Sequence, residues 1–148
     1  MAEAEEQPWK PKIEIEAYTY HCICTQLILA TTTPLHEEPK RAYDLTTILN
    51  LPPEPTTWGF HAVVTGTVVD KEPTAVRGDG GFEKRYMHRC SRCDVVIGYT
   101  VDRCHLVPEM SGRMDELIML LPGGLMTTAE MEKGKNMERE IGLVQTKR

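Results

Sequence analysis

Two cysteine pairs constrain this chain more than any other feature: Cys22-Ile23-Cys24 and Cys90-Ser91-Arg92-Cys93, separated by residues 25–89. On a strand, a CxC puts both thiols on one face; in a tight turn, a CxxC aims two at one point. Together the pairs offer four soft ligands, the number and type that tetrahedral zinc prefers. Such a metal would clamp together two hairpins distant in sequence. Structural zinc contributes on the order of 10 kcal/mol or more in small domains. Little else here could do so, because 148 residues carry only two Phe, two Trp and five Tyr. Small cores of this kind lean on metals or disulfides.

Spacing alone leaves other readings open, since the stretch between the pairs is longer than in compact zinc ribbons. Cysteine also serves as a small buried hydrophobe. A CxxC can run thiol redox chemistry, but thioredoxin-type motifs open a helix after a strand, and strand-like runs flank this one on both sides. Catalytic zinc would need an open coordination position and a nearby acid or base. His21 and His88 adjoin the pairs and read as supporting or solvated groups. Cys104-His105 could replace one ligand, although its isolation in a loop favours a free thiol. Gly78-Asp79-Gly80-Gly81 lacks a following helix and is expected to be a turn, not a phosphate cradle. No nucleophile–base pair or carboxylate dyad is evident, so no catalytic residue is assigned and no small-molecule substrate is expected.

The flanking patterns are mostly those of strands. Ile13 to Ala17 alternates apolar with polar residues, and Leu27 to Thr33 is a second β-branched run. Residues 13–33 therefore read as a hairpin with Cys22 and Cys24 at its turn. Tyr43, Leu45, Ile48 and Leu49 are spaced as one face of a short helix over 41–51, stopped by Pro52-Pro53. Phe60 to Val69 reads as a strand in which Gly66 marks a bulge or turn. The breaker-rich residues 70–81 read as a loop. Phe82–Cys90 and the alternating Val95, Ile97, Tyr99 and Val101 form a second hairpin around the CxxC. Residues 102–113 read as loop and Glu116 to Leu121 as a strand. Pro122-Gly123-Gly124 is a turn after which Leu125 to Thr128 pairs back. The expected fold is mainly β (α+β): two cysteine-bearing hairpins clamped by one zinc, one short helix and disordered termini. Its divisions are an acidic tail over 1–12, a zinc-stabilised domain over 13–128 and a charged tail over 129–148, read as a short helix or disorder.

Charge narrows the partners. The net charge is −5, whereas free-standing nucleic-acid binders need clustered Lys and Arg to neutralise phosphates. Autonomous nucleic-acid binding is not expected, though docking inside a ribonucleoprotein through protein contacts is compatible. No apolar run approaches the roughly 18–20 residues of a membrane span. The acidic Met1–Glu6 lacks the order of a secretion signal, and the cysteine count of five is odd. Metal ligands or free thiols are thus expected over disulfides, in the nucleus, the cytoplasm or both. Arg89 and Arg92 are candidate surface contacts beside the CxxC, and would offset the formal −2 of a four-cysteine zinc site. Tyr20, Phe82 and Tyr86 are expected to pack near it.

Two segments resemble the STEEP (STING endoplasmic-reticulum exit protein) family. One is Tyr18-Thr19-Tyr20-His21-Cys22-Ile23-Cys24-Thr25-Gln26, with aromatics before a CxC, then Gln and an aliphatic run. The other is Gly81-Phe82-Glu83-Lys84-Arg85-Tyr86-Met87-His88-Arg89-Cys90-Ser91-Arg92-Cys93. The resemblance frames roughly residues 13–125, and implies that Cys22, Cys24, Cys90 and Cys93 are the zinc ligands. Thr25 and Asp94 stand where the family has Gly, from which altered turn geometry is expected. Stretches 52–70 and 102–113 depart from the family's pattern, and its long basic C-terminal region is expected to be absent or truncated here. The resemblance implies a non-enzymatic adaptor, in animals linked to vesicular exit of a membrane receptor. Family members also resemble companions of the spliceosome. The implied partners are therefore proteins of an ER-exit or a spliceosomal assembly.

Overall fold

The computed structural model describes residues 16–54, 56, 59–78 and 80–140. The expected strand residues Ile13 and Ile15 and the tail segments 1–12 and 141–148 lie outside them. The chain forms two antiparallel sheets over a shared core. In order, the strands are β1 (Tyr18–His21), β2 (Leu27–Thr31), β3 (Thr47–Asn50), β4 (Ala62–Val64), β5 (Thr67–Val69), β6 (Thr74–Gly78), β7 (Gly81–Cys90), β8 (Val96–Val101), β9 (Leu117–Leu120) and β10 (Met126–Thr127). Helix α1 (Thr128–Glu140) follows.

The four-stranded sheet runs β10-β1-β2-β4, and the six-stranded one runs β3-β9-β8-β7-β5 with β6 also on β7. Tyr20, Ile28, Leu29 and Ala62 from the first meet Leu49, Ile97, Ile118 and Leu120 from the second. Cys22 and Cys90 belong to this same cluster and are 0% and 1% exposed, so the metal-ligating candidates sit at the rim of the core. The opposite face of the larger sheet buries a smaller cluster of Tyr99, Val101 and Met119.

Both cysteine hairpins form, β1 against β2 and β7 against β8. Other expectations need correction. Residues 41–51 are not a helix: Thr47–Asn50 is a strand paired with β9. The Asp44 carboxylate accepts from the Thr46 amide and hydroxyl (3.1 and 2.7 Å), and Leu45 takes φ 62°, both of which break a helix locally. The β-branched run Thr46-Thr47-Ile48 then extends the chain. Residues 60–69 are two strands in different sheets, because Gly66 at φ 65° turns the chain from one to the other. Residues 70–81 are not all loop. The glycines form a tip with Gly78 opposite Gly81, which lets β6 pair along β7.

Of the expected 125–128 strand only Met126–Thr127 forms, and it pairs with β1 rather than back onto the preceding strand. Among the described residues the one α-helix is α1, over Thr128–Glu140. Thr127 and Glu130 cap it reciprocally: the Thr127 hydroxyl accepts from the Glu130 amide, and the Glu130 carboxylate from the Thr127 amide, each at 3.0 Å. That T-x-x-E box makes this segment start a helix.

Candidate metal centre

Each cysteine pair lies in a tight turn pinned by backbone bonds. At the CxC, the Cys22 amide donates to Gln26 O and the Thr25 amide to Cys22 O, both 2.8 Å. At the CxxC, Cys90 donates to Val95 O (2.9 Å) and Asp94 to Cys90 O (2.8 Å). The two turns thus repeat one scheme. Thr25 (φ 78°) and Asp94 (φ 65°) both adopt left-handed backbone. This is backbone that favours glycine, and holding a non-glycine residue in it costs about 1 kcal/mol for each. For β-branched Thr25 this is an outlying conformation, held by the turn around it.

The four sulfurs of Cys22, Cys24, Cys90 and Cys93 all lie within 4.8 Å of one another. The short contacts cross between turns, Cys22 to Cys93 and Cys24 to Cys90, both 3.5 Å. A tetrahedral ion with bonds of about 2.3 Å separates its sulfurs by about 3.8 Å, so this cluster is close to the size required. Cys104 is not part of it; its amide instead donates to Asp102 (3.0 Å) at a one-turn helix over Arg103–His105.

The electrostatics of the cluster are uneven. Burial pushes the Cys22 thiol up to about 12, against the lowering effect of the Cys24 amide. Burial also raises Cys90, but the amides of Cys93 and Arg92 outweigh it and bring that thiol down to about 7. The Gln26 amide likewise favours the thiolate of Cys24, although burial and neighbouring thiols raise it overall. Turn amides directed at sulfur, with four thiols crowded together, suit a cation that removes the protons.

The surroundings give specific positions to His21, Gly66 and His88, which the sequence marked only as supporting or solvated groups and as a bulge or turn. His21 bridges the CxC turn to α1: Nδ1 lies 3.1 Å from Thr25 O, and Nε2 lies 3.0 Å from the Thr128 hydroxyl. Gly66 sits between the turns. Its carbonyl accepts from the Ser91 amide (2.9 Å), while a Cβ there would meet Gln26 Nε2 at 2.6 Å and Leu27 O at 2.8 Å. The only signal in the sequence was a glycine interrupting a strand pattern. His88 is buried, its Nε2 lies 2.5 Å from the Thr100 hydroxyl, and its Nδ1 has no partner among the described residues. Burial, then the charge of Arg113, draws its pKa down to about 4, so it is a neutral core residue at neutral pH.

Arg89, on β7, is paired with Asp70 (3.0 and 3.4 Å), and Arg92 is exposed at the tip of the CxxC turn. Tyr20 is buried, and its hydroxyl accepts from the Leu35 amide at 2.8 Å. Tyr86 is also buried and donates to Asp102 at 3.2 Å. Phe82 does not pack near the cysteines. It is 68% exposed at the far end of β7, where the strand has passed beyond the shared core.

A second polar centre also went unread. Arg41 donates to Glu83 (3.0 Å) and to Tyr99 (2.6 Å); Arg85 donates to Glu83 (2.8 Å) and Asp44 (3.3 Å). The Tyr99 hydroxyl closes the loop onto Asp44. Burial opposes ionisation of Asp44 and Glu83, but hydrogen bonds outweigh it, from Tyr99 and Thr46 to Asp44 and from the two arginines to Glu83, and hold both carboxyls below the usual range. Among known families, the model of the STEEP1 domain matches residues 12–135.

Proposed function

Given that the chain belongs to the STEEP1-domain family, we propose that it is a non-enzymatic protein-interaction module whose two cysteine turns close on one structural zinc ion. The observation that supports this is the four-sulfur cluster spanning 4.8 Å, built by two turns of the same hydrogen-bonding scheme. Cys90 lies 3.5 Å from Cys24, across the site, which is the arrangement of a shared ligand sphere rather than of a CxxC redox couple. Four thiolates leave no open coordination position, so the metal's role is to hold the two hairpins together.

The adaptor is read as serving proteins of a larger assembly, in the first instance the ER-exit machinery to which the family resemblance points. Among the described residues no helix is long and apolar enough to cross a membrane, which fits a partner recruited through protein contacts. Placement in the nucleus, as an accessory of the spliceosome, is the alternative. Metal analysis of the purified chain tests the first half: one zinc per chain, lost together with cooperative unfolding on chelation, is expected. A well-folded, metal-free protein with a titratable Cys90–Cys93 disulfide would overturn it. Affinity purification tests the second half. Coat or lipid-kinase components without splicing factors support the ER-exit reading, and the reverse supports the nuclear one.

A further inference from the structure

At the opposite end of β7 from Cys90, the β6–β7 tip and the 40–46 loop enclose a cavity of about 330 Å³. Its walls include Arg41, Tyr43, Gly78, Phe82, Arg85 and His105. The Tyr43 and Phe82 side chains are left 48% and 68% exposed. Gly78 is needed for this shape, since a Cβ there would meet the Tyr43 hydroxyl at 1.9 Å.

What the cavity offers a ligand follows from what its polar groups already do. Glu83 and Asp44 are spent on Arg41, Arg85, Tyr99 and Thr46. Arg85, with a side chain only 10% exposed, uses Nε on Glu83 and Nη2 on Asp44. Its Nη1 has no partner among the described residues, which leaves two N–H donors on a side chain that lines the cavity. His105 Nε2 accepts from the Lys84 amide at 2.9 Å, so its proton is on Nδ1, another donor. Arg77 and Lys84, on the same hairpin, are exposed cations. Among the described residues, this corner of a chain of net charge −5 thus presents unpaired donors and positive charge, with the carboxylates of Glu83 and Asp44 already occupied.

The adjoining strand edge is also open. Lys84 turns its amide to His105 and its carbonyl to the Asp102 amide (3.1 Å), away from β6. Ala75, opposite Lys84 in the ladder, therefore turns its own amide and carbonyl outward, where an extended chain could pair with them.

We propose that this cavity is a docking site for an extended partner peptide, which pairs along β6 and places one anionic side chain on Arg85 Nη1 between the Tyr43 and Phe82 rings. The guanidinium recognises the anionic oxygens, and the rings cover the side chain's stem. This goes beyond the zinc reading and does not depend on it.

The test uses the full, metal-loaded chain and three fluorescein-labelled decapeptides of alternating Thr and Val, with a central Glu, Gln or phosphoserine. The Glu or phosphoserine peptide is expected to bind at least about tenfold more tightly than the Gln peptide, as loss of a charge-assisted bond implies. Whichever of the two is tighter identifies the anion's source as a carboxylate or a phosphate. Gly80→Glu puts a tethered carboxylate where a Cβ meets nothing within 4 Å, and so competes in cis. Both it and Phe82→Ala are expected to weaken binding by about fivefold or more, with an unchanged melting temperature. Equal affinity for the Glu and Gln peptides, wild-type binding by both variants, or no saturable binding below about 1 mM would each overturn the proposal.

Discussion

The two ends of β7 hold their loops in contrasting ways. At Cys90 the strand joins a cluster of four thiols, and burial raises one of them to about 12. At Glu83 and Arg85 it joins a network in which two guanidinium groups meet two carboxylates. The second end pairs its carboxylates with its own guanidinium groups, while the first gathers four thiols close enough to hold a metal ion. On the proposed zinc reading, one strand carries a module held by a metal at one end and by paired protein charges at the other.

The largest test of that contrast removes the metal. Chelation, or Cys90→Ser, is expected to cost on the order of 10 kcal/mol and to abolish cooperative unfolding, read by circular dichroism with and without chelator. Survival of a cooperative transition would show that the thiol end also stands alone. At the other end, Glu83→Gln leaves Arg41 and Arg85 half-paired and is expected to cost about 3 kcal/mol by denaturant unfolding, without loss of bound metal. Zinc loss in that variant would mean that the ends are not separate.

Acid should separate the two ends by pH. The folded-state pKa values of Asp44 and Glu83 lie below their unfolded values near 4, so their contribution is full above about pH 4 and is lost as pH falls through the folded values. Thiolate ligands take up protons at higher pH, so metal release, followed with a chromogenic chelator, is expected before the network fails. Simultaneous loss would contradict the distinction.

Smaller effects test the scaffold around the cysteines. Gly66→Ala drives a Cβ to within 2.8 Å of Leu27 O at φ 65°, and is expected to cost about 2 kcal/mol and to weaken metal retention against a competing chelator. Thr25→Gly and Asp94→Gly relieve left-handed strain and are each expected to add about 1 kcal/mol or less. Destabilisation by either would show that its side chain has a task beyond filling the turn.

Much of this was legible because it is local. Alternation and turn residues marked both cysteine hairpins, since period-two burial is written along a single strand. The cysteine spacing likewise announced two ligand turns. Over 41–51 the same local reasoning failed, because Tyr43 and Leu45 are exposed while Thr46, Thr47 and Leu49 are buried, a spacing that is not one helix face. There a partner strand, β9, decided the conformation. Glycine clusters were equally ambiguous at 78–81, where the composition of a loop and that of a hairpin tip are alike.

The sequence by itself determined that four cysteines come in two pairs and that strand-like patterns flank them. Only the tertiary structure decided that Gly66 is wedged between the two cysteine turns, that His21 ties one of them to α1, and that Arg41, Asp44, Glu83 and Arg85 close on one another. The reason is physical. A turn or an alternating strand is set by neighbours along the chain, whereas close approach and charge pairing depend on which distant segments the sheets bring side by side.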